Sequence, residues 1–203
     1  MLVGDSVFDN GRHVESDAEV VNYVNAAFPN WKISLLARDG ATTTDIKNQV
    51  VGLVLNDTDL LLSVGGNDAL LRADALDSPV TSTADALLLF SGILLEFKSQ
   101  YAKAVDCCLN VTPRVAVCTI YHGFFLDRNY QERVNIAIDL FNSAIIDVAL
   151  DRNIPVLDLR RICNAQEDFE KEIEPSALGG KKIALAMARL WVKRSCNGSQ
   201  ICY

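Results

Sequence analysis

Apolar positions along this chain alternate between short β-branched runs and longer stretches with helical spacing. Residues 2–3 form the stub of a first strand. Over 17–28, Val20, Val21, Val24 and Phe28 fall on one face at helical spacing, which predicts a helix. A second strand is expected over 31–37, ended by Arg38-Asp39-Gly40, and a helix over 44–55, where a run of threonines can cap the start. The run at 59–64 reads as a third strand, ended by Gly65-Gly66-Asn67-Asp68. A long helix is expected at about 83–104, a fourth strand at 115–120, a helix at about 131–151 and a fifth strand at 155–159. A last helix is expected at about 176–194, entered at Pro175-Ser176.

Strands that alternate with helices imply right-handed crossovers and a parallel sheet covered on both faces. The run Leu60-Leu61-Leu62-Ser63-Val64, apolar but for Ser63, suits a strand buried on both sides. The expected architecture is therefore three-layer α/β/α, a flavodoxin-like five-stranded parallel sheet in the order 2-1-3-4-5. Neither a linker nor an internal repeat divides residues 1–203, so one domain is expected.

Composition narrows the function classes. Half of the 203 residues are apolar, enough for a continuous core, and 22% are charged without single-sign blocks. A net charge of −7 argues against a nucleic-acid partner, which selects for a basic stripe, and against anionic membranes. No apolar run reaches the ~20 residues of a membrane span, and no leader is readable before Gly4, so a cytoplasmic location is expected. Of the six cysteines, Cys107, Cys108, Cys118 and Cys163 read as buried thiols, whereas Cys196 and Cys202 flank a Gly-containing tail and can pair in an oxidising compartment. Oligomeric state is not legible.

In an open parallel sheet, ligands bind beyond the carboxyl ends of the strands. Three of those ends are unusual here: Gly4-Asp5-Ser6, Asp39-Gly40 and Gly65-Gly66-Asn67-Asp68. Glycine lets the backbone turn sharply there, and Ser6 emerges at a strand-to-loop turn as a nucleophile must. Gly4-Asp5-Ser6-Val7-Phe8-Asp9-Asn10 resembles the first block of the SGNH/GDSL hydrolases. Gly40 falls where that family's second-block glycine belongs, and Gly65-Gly66-Asn67-Asp68 resembles its third block. The resemblance, running from residue 1 to about 190, implies the SGNH hydrolase fold and hydrolysis of a small-molecule ester. It implies Ser6 as nucleophile and Ser6, Gly40 and Asn67 as donors to an oxyanion. Asp5 is expected to shape the nucleophile turn and Asp68 to hold the loop around Asn67; Asp5, Asp9, Asp68, His122 and Phe124 are all candidates to border the substrate, with Phe124-Phe125-Leu126 either lining an acyl pocket or capping the core.

The last block departs from the pattern. The family carries Asp-x-x-His-Pro before its final helix; here Glu174 stands in the histidine position and Lys171 in that of the aspartate, followed by Pro175-Ser176 and Gly179-Gly180. Three readings follow. Glu174 takes the proton from Ser6, helped by burial near other acids that raises its pKa against the pull of Lys171. Alternatively His122 or His13 substitutes as base. In the third, the chain is an impaired hydrolase that binds an acyl or carboxylate ligand. The carboxylates Asp5, Asp9, Asp39, Asp68 and Glu174 suit Mg²⁺ or Ca²⁺ in type, but their spacing matches no metal-binding loop, so neither metal nor cofactor is expected.

Overall fold

The computed structural model describes residues 1–55, 57–194 and 201–202. Strands β1 (Leu2–Gly4), β2 (Leu60–Ser63), β3 (Val115–Cys118) and β4 (Val156–Leu157) lie side by side, all parallel. Beyond β4 the ladder takes up two residues of the tail, Ile201–Cys202. The chain also forms helices α1 (Val20–Ala27), α2 (Ile46–Val50), α3 (Gly66–Leu70), α4 (Thr83–Val111), α5 (Arg128–Asp151), α6 (Leu159–Ile162) and α7 (Ala177–Arg194).

Alternation along each strand divides the core in two. Leu2, Leu61, Ala116, Cys118 and Leu157 face one side and pack on α1, α6 and α7. Val3, Leu60, Leu62, Val115, Val117 and Val156 face the other and pack on α2, α4 and α5. Both faces are therefore covered, and all four residues of β2 and of β3 are buried, as the apolar runs require. The three expected layers are present. Among the described residues no helix is long and apolar enough to cross a membrane.

The strand expected over 31–37 is the main departure. The segment does run parallel beside β1, but it makes a single bridge, Leu2 to Leu35. The carbonyl of Leu2 accepts from both Leu36 (2.8 Å) and Ala37 (3.1 Å), so two residues oppose one and the ladder breaks as at a bulge. The helix expected over 44–55 is shorter. It opens as a 3-10 turn, Thr43–Asp45, with a reciprocal cap between Thr42 and Asp45, and α2 then stops at Val50. The long helix extends past the expected end to Val111. The short α3 and a two-stranded hairpin, β5 (Phe169–Glu170) with β6 (Glu174–Pro175), were not expected. Cys107, Cys108, Cys118 and Cys163 are free thiols, the last three buried. Cys196, and with it the pairing expected with Cys202, lies outside the described residues.

Candidate active site

Beyond β1 the backbone reverses over Asp5. The N–H groups of Phe8 and Asp9 both donate to the Asp5 carbonyl, while the Asp5 N–H is held by Ser63 O at 3.0 Å. Gly4 makes this entry possible. Its φ is +135°, and a Cβ there would meet the Ser63 carbonyl oxygen at 1.7 Å. Gln49 of α2 clasps the same residue from the other side: Gly4 N–H donates to Gln49 Oε1 (2.8 Å) and Gln49 Nε2 donates to Gly4 O (2.7 Å). Phe8, wholly buried, anchors the far end of the turn. Ser6 thus projects from a turn fixed at both ends, and its N–H has no hydrogen-bond partner among the described residues.

Two further loops are tied to this turn. The Asp39 N–H donates to Asp9 Oδ2 (2.9 Å) and the Arg38 N–H to Gly4 O (2.9 Å). Gly40 follows at φ +80°, its N–H likewise without a partner among the described residues. Asn67, in α3, donates one side-chain N–H to Ala41 O at 2.9 Å, which leaves its second N–H available. Asp68 accepts from both the N–H and the hydroxyl of Thr43, so it clamps the Gly40 loop to α3. Free N–H groups on Ser6, Gly40 and Asn67 are the donor types an oxyanion requires.

The fourth component arrives on the hairpin. Lys171 turns it at φ +54°, and β6 carries Glu174. Tyr121 OH donates to Ile173 O (2.6 Å) and the wholly buried Asn10 donates its side-chain N–H to Pro175 O (3.1 Å), so both neighbours of Glu174 are held. The other end of Asn10 accepts from the N–H of Val20 and caps α1. Ser176 accepts from Gly179 N–H and donates to Glu167 O, while a Cβ on Gly179 would meet Asp168 O at 2.2 Å. The Pro-Ser-x-x-Gly-Gly portion of the last block therefore docks and caps α7.

Ser6 Oγ donates to Glu174 Oε1 at 3.3 Å. His13 Nε2 stands 3.9 Å from the same oxygen and 3.3 Å from Asp39 Oδ2. The order is Ser6, Glu174, His13, Asp39. Burial raises the Glu174 carboxyl above the ordinary value, and the charge of Asp39 adds to the rise; His13, the Ser6 hydroxyl and Lys171 oppose it. Asp5 is buried beside Ser6. Burial pushes its carboxyl up to about 8, with a smaller push from Glu174, against the Val7 N–H that favours the anion. Asp5 therefore holds its proton more tightly than an ordinary aspartate.

Asp5, Ser6, Asn67 and Glu174 border one cavity. Its wall is chiefly apolar: Ala69 and Leu70 from α3, Phe90 and Ile93 from α4, Val134 and Phe141 from α5. Gly40, Asp9 and Asp68 lie outside this wall, the last two engaged as backbone acceptors. His122 borders the cavity, but its Nε2 faces Asp139 Oδ1 at 2.9 Å instead of Ser6. Of the two phenylalanines that follow Gly123 (φ +71°), Phe124 packs on the core beneath and Phe125 borders the cavity. Asn10, Gln49 and Tyr121 escaped sequence reasoning. Asn10 stood in plain view within the first block, yet its two partners are 10 and 165 residues away.

Residues 2–180 match the sequence profile of the GDSL-like lipase/acylhydrolase family, and the chain belongs to that family. Among curated proteins, none matches this chain by sequence. Solved structures resemble it at low identity. An extracellular lipase from Streptomyces rimosus superposes with a TM-score of 0.69 at 19% identity, covering 97% of this chain and 98% of its own. A phospholipase A1 from Streptomyces albidoflavus gives 0.68 at 19% identity, covering 94% and 97%. An acetyl xylan esterase from Geobacillus stearothermophilus gives 0.63 at 19% identity, covering 93% and 91%. The fold is that of the SGNH hydrolases, and by family the chain is an ester hydrolase.

Proposed function

We propose that this chain hydrolyses carboxylic esters through an acyl-enzyme on Ser6, with Glu174 in place of the missing histidine and the acyl group in the apolar cavity. The observation that carries the reading is the Ser6 hydroxyl donating to Glu174 Oε1 at 3.3 Å at the edge of that cavity. Ser6 Oγ attacks the ester carbonyl as its proton passes to Glu174. The N–H groups of Ser6 and Gly40 and the second N–H of Asn67 receive the oxyanion; one such donor is worth ~10²–10³ in rate. The protonated Glu174 then releases the leaving alcohol as its acid. Water attacks the acyl-Ser6 by the reverse steps and restores the hydroxyl. His13, held by Asp39, stands 3.9 Å from the same Glu174 oxygen that accepts from Ser6 and is a positioning residue.

An apolar wall favours a hydrocarbon acyl chain over acetate. Each buried methylene contributes about 0.8 kcal/mol, so kcat/KM should climb about three- to fourfold per carbon until the cavity is filled. A series of p-nitrophenyl esters from acetate to decanoate, assayed with the parent and the Ser6→Ala variant, tests both parts. Turnover surviving intact in Ser6→Ala removes the nucleophile from the reading. A flat chain-length profile, with Ser6 still required, removes only the acyl placement.

A further inference from the structure

We propose that His13 Nε2, Asp39 Oδ2 and Glu174 Oε1 form a binding site for one divalent transition-metal cation, and that its occupation withdraws Glu174 from Ser6. The three donor atoms come from three separate segments and all lie within 4.8 Å of one another. Zinc holds nitrogen and oxygen ligands at ~2.0–2.2 Å, which sets tetrahedral ligands about 3.3–3.6 Å apart. His13 Nε2 to Asp39 Oδ2 is 3.3 Å and His13 Nε2 to Glu174 Oε1 is 3.9 Å, so small side-chain movements bring the set to coordination distance.

Charge and burial support the same assignment. A metal ligand must give up its proton, and with the imidazole so bound the two carboxylates leave −2, which a dication cancels. The second oxygen of Glu174, Oε2, is buried and has no hydrogen-bond partner among the described residues, a lack that an ion held by this carboxylate in bidentate fashion would make good. Buried polar atoms without partners are uncommon in folded proteins. The mixture of one imidazole with two carboxylates suits Zn²⁺ and Mn²⁺ better than Mg²⁺ or Ca²⁺, which prefer oxygen alone. Asp39 and His13, whose side chains are 26% and 20% exposed, leave the site open to solvent on one side.

Regulation of turnover rests on the reading of Glu174 as the proton acceptor for Ser6. A carboxylate oxygen that donates its lone pair to a cation no longer takes a proton at that atom, so the bound ion slows acylation. No sequence spacing marks the site, because the donors sit at positions 13, 39 and 174.

The test is calorimetric titration of the tag-free full chain, freed of metal by a chelator, with Mn²⁺ and separately with Zn²⁺. Mn²⁺ discriminates against thiolates, which the six cysteines otherwise offer. One ion per chain is expected, bound at least tenfold more weakly by His13→Ala and by Asp39→Asn. Ser6→Ala should bind the ion as the parent does, so the site is read even in a chain without esterase activity. In the parent, ester turnover should fall with the same half-saturation and return on chelation. No saturable binding of either ion, or binding untouched by both variants, overturns the site. Binding at these residues with turnover unchanged or raised overturns the withdrawal of Glu174.

Discussion

The Glu174→Gln variant is expected to hydrolyse esters ~10²–10⁴-fold more slowly than the parent chain, the usual contribution of a positioned proton acceptor. Glutamine keeps the shape and still accepts the 3.3 Å bond from Ser6 Oγ, but it takes no proton. The pH profile separates this loss from a structural one. Only the ionised carboxylate accepts a proton, so activity should fall as pH drops through the Glu174 pKa. Burial places that pKa above the ordinary carboxylate value, so the acidic limb should lie above that of a free glutamate. In Glu174→Gln the limb should vanish, and the residual rate should rise with hydroxide. A variant with the parent's turnover and the parent's limb removes Glu174 from the chemistry. Binding to the ground state is expected to change little, so the loss should appear in kcat more than in KM.

Gly4→Ala carries the largest expected effect on the fold. The added Cβ meets Ser63 O at 1.7 Å and the Ser63 carbonyl carbon at 2.6 Å, both rigid backbone atoms of the neighbouring strand. Relief requires β1 to move away from β2, which breaks the Asp5 N–H bond to Ser63 O and the Gln49 clasp together. A cost above ~4 kcal/mol is expected, in the range of the most damaging single substitutions. Gly52→Ala is the control. Its φ is +76°, and nothing lies within 4 Å of the new atom, so only backbone strain of ~1–2 kcal/mol applies. Denaturant midpoints of the two variants should differ widely. Equal midpoints would mean that β1 and β2 do not approach as closely as described.

The elements legible in the chain are those whose residues face apolar neighbours on both sides. β2, apolar but for Ser63, and β3 are apolar runs because α1 and α7 cover one face and α2, α4 and α5 the other. The segment 31–37 alternates instead, with Lys32 and Ser34 between Trp31, Ile33 and Leu35, and its ladder is broken by two N–H groups sharing the carbonyl of Leu2, a backbone event with no side-chain signature. The site divides along the same line. Ser6, Gly40 and Asn67 could be nominated because the family resemblance marks strand ends. Asn10 could not be given its role, since a buried amide bridging Val20 and Pro175 depends on where two distant loops meet. Which of Phe124 and Phe125 meets the core and which the cavity is likewise not fixed by residue type, since the two are adjacent and identical. The placement of Glu174 against Ser6 was expected from position, whereas the Glu174–His13–Asp39 order depends on the path of the loop after Ser6.

Covalent labelling by a fluorophosphonate, read as intact mass, tests the central claim most directly. An activated Ser6 displaces fluoride and retains the phosphonyl group, one per chain. Stoichiometric labelling of the parent is expected, none of Ser6→Ala, and labelling of Glu174→Gln slowed in parallel with its ester turnover. A parent chain that remains unlabelled, or one labelled equally after Ser6→Ala, would contradict that claim.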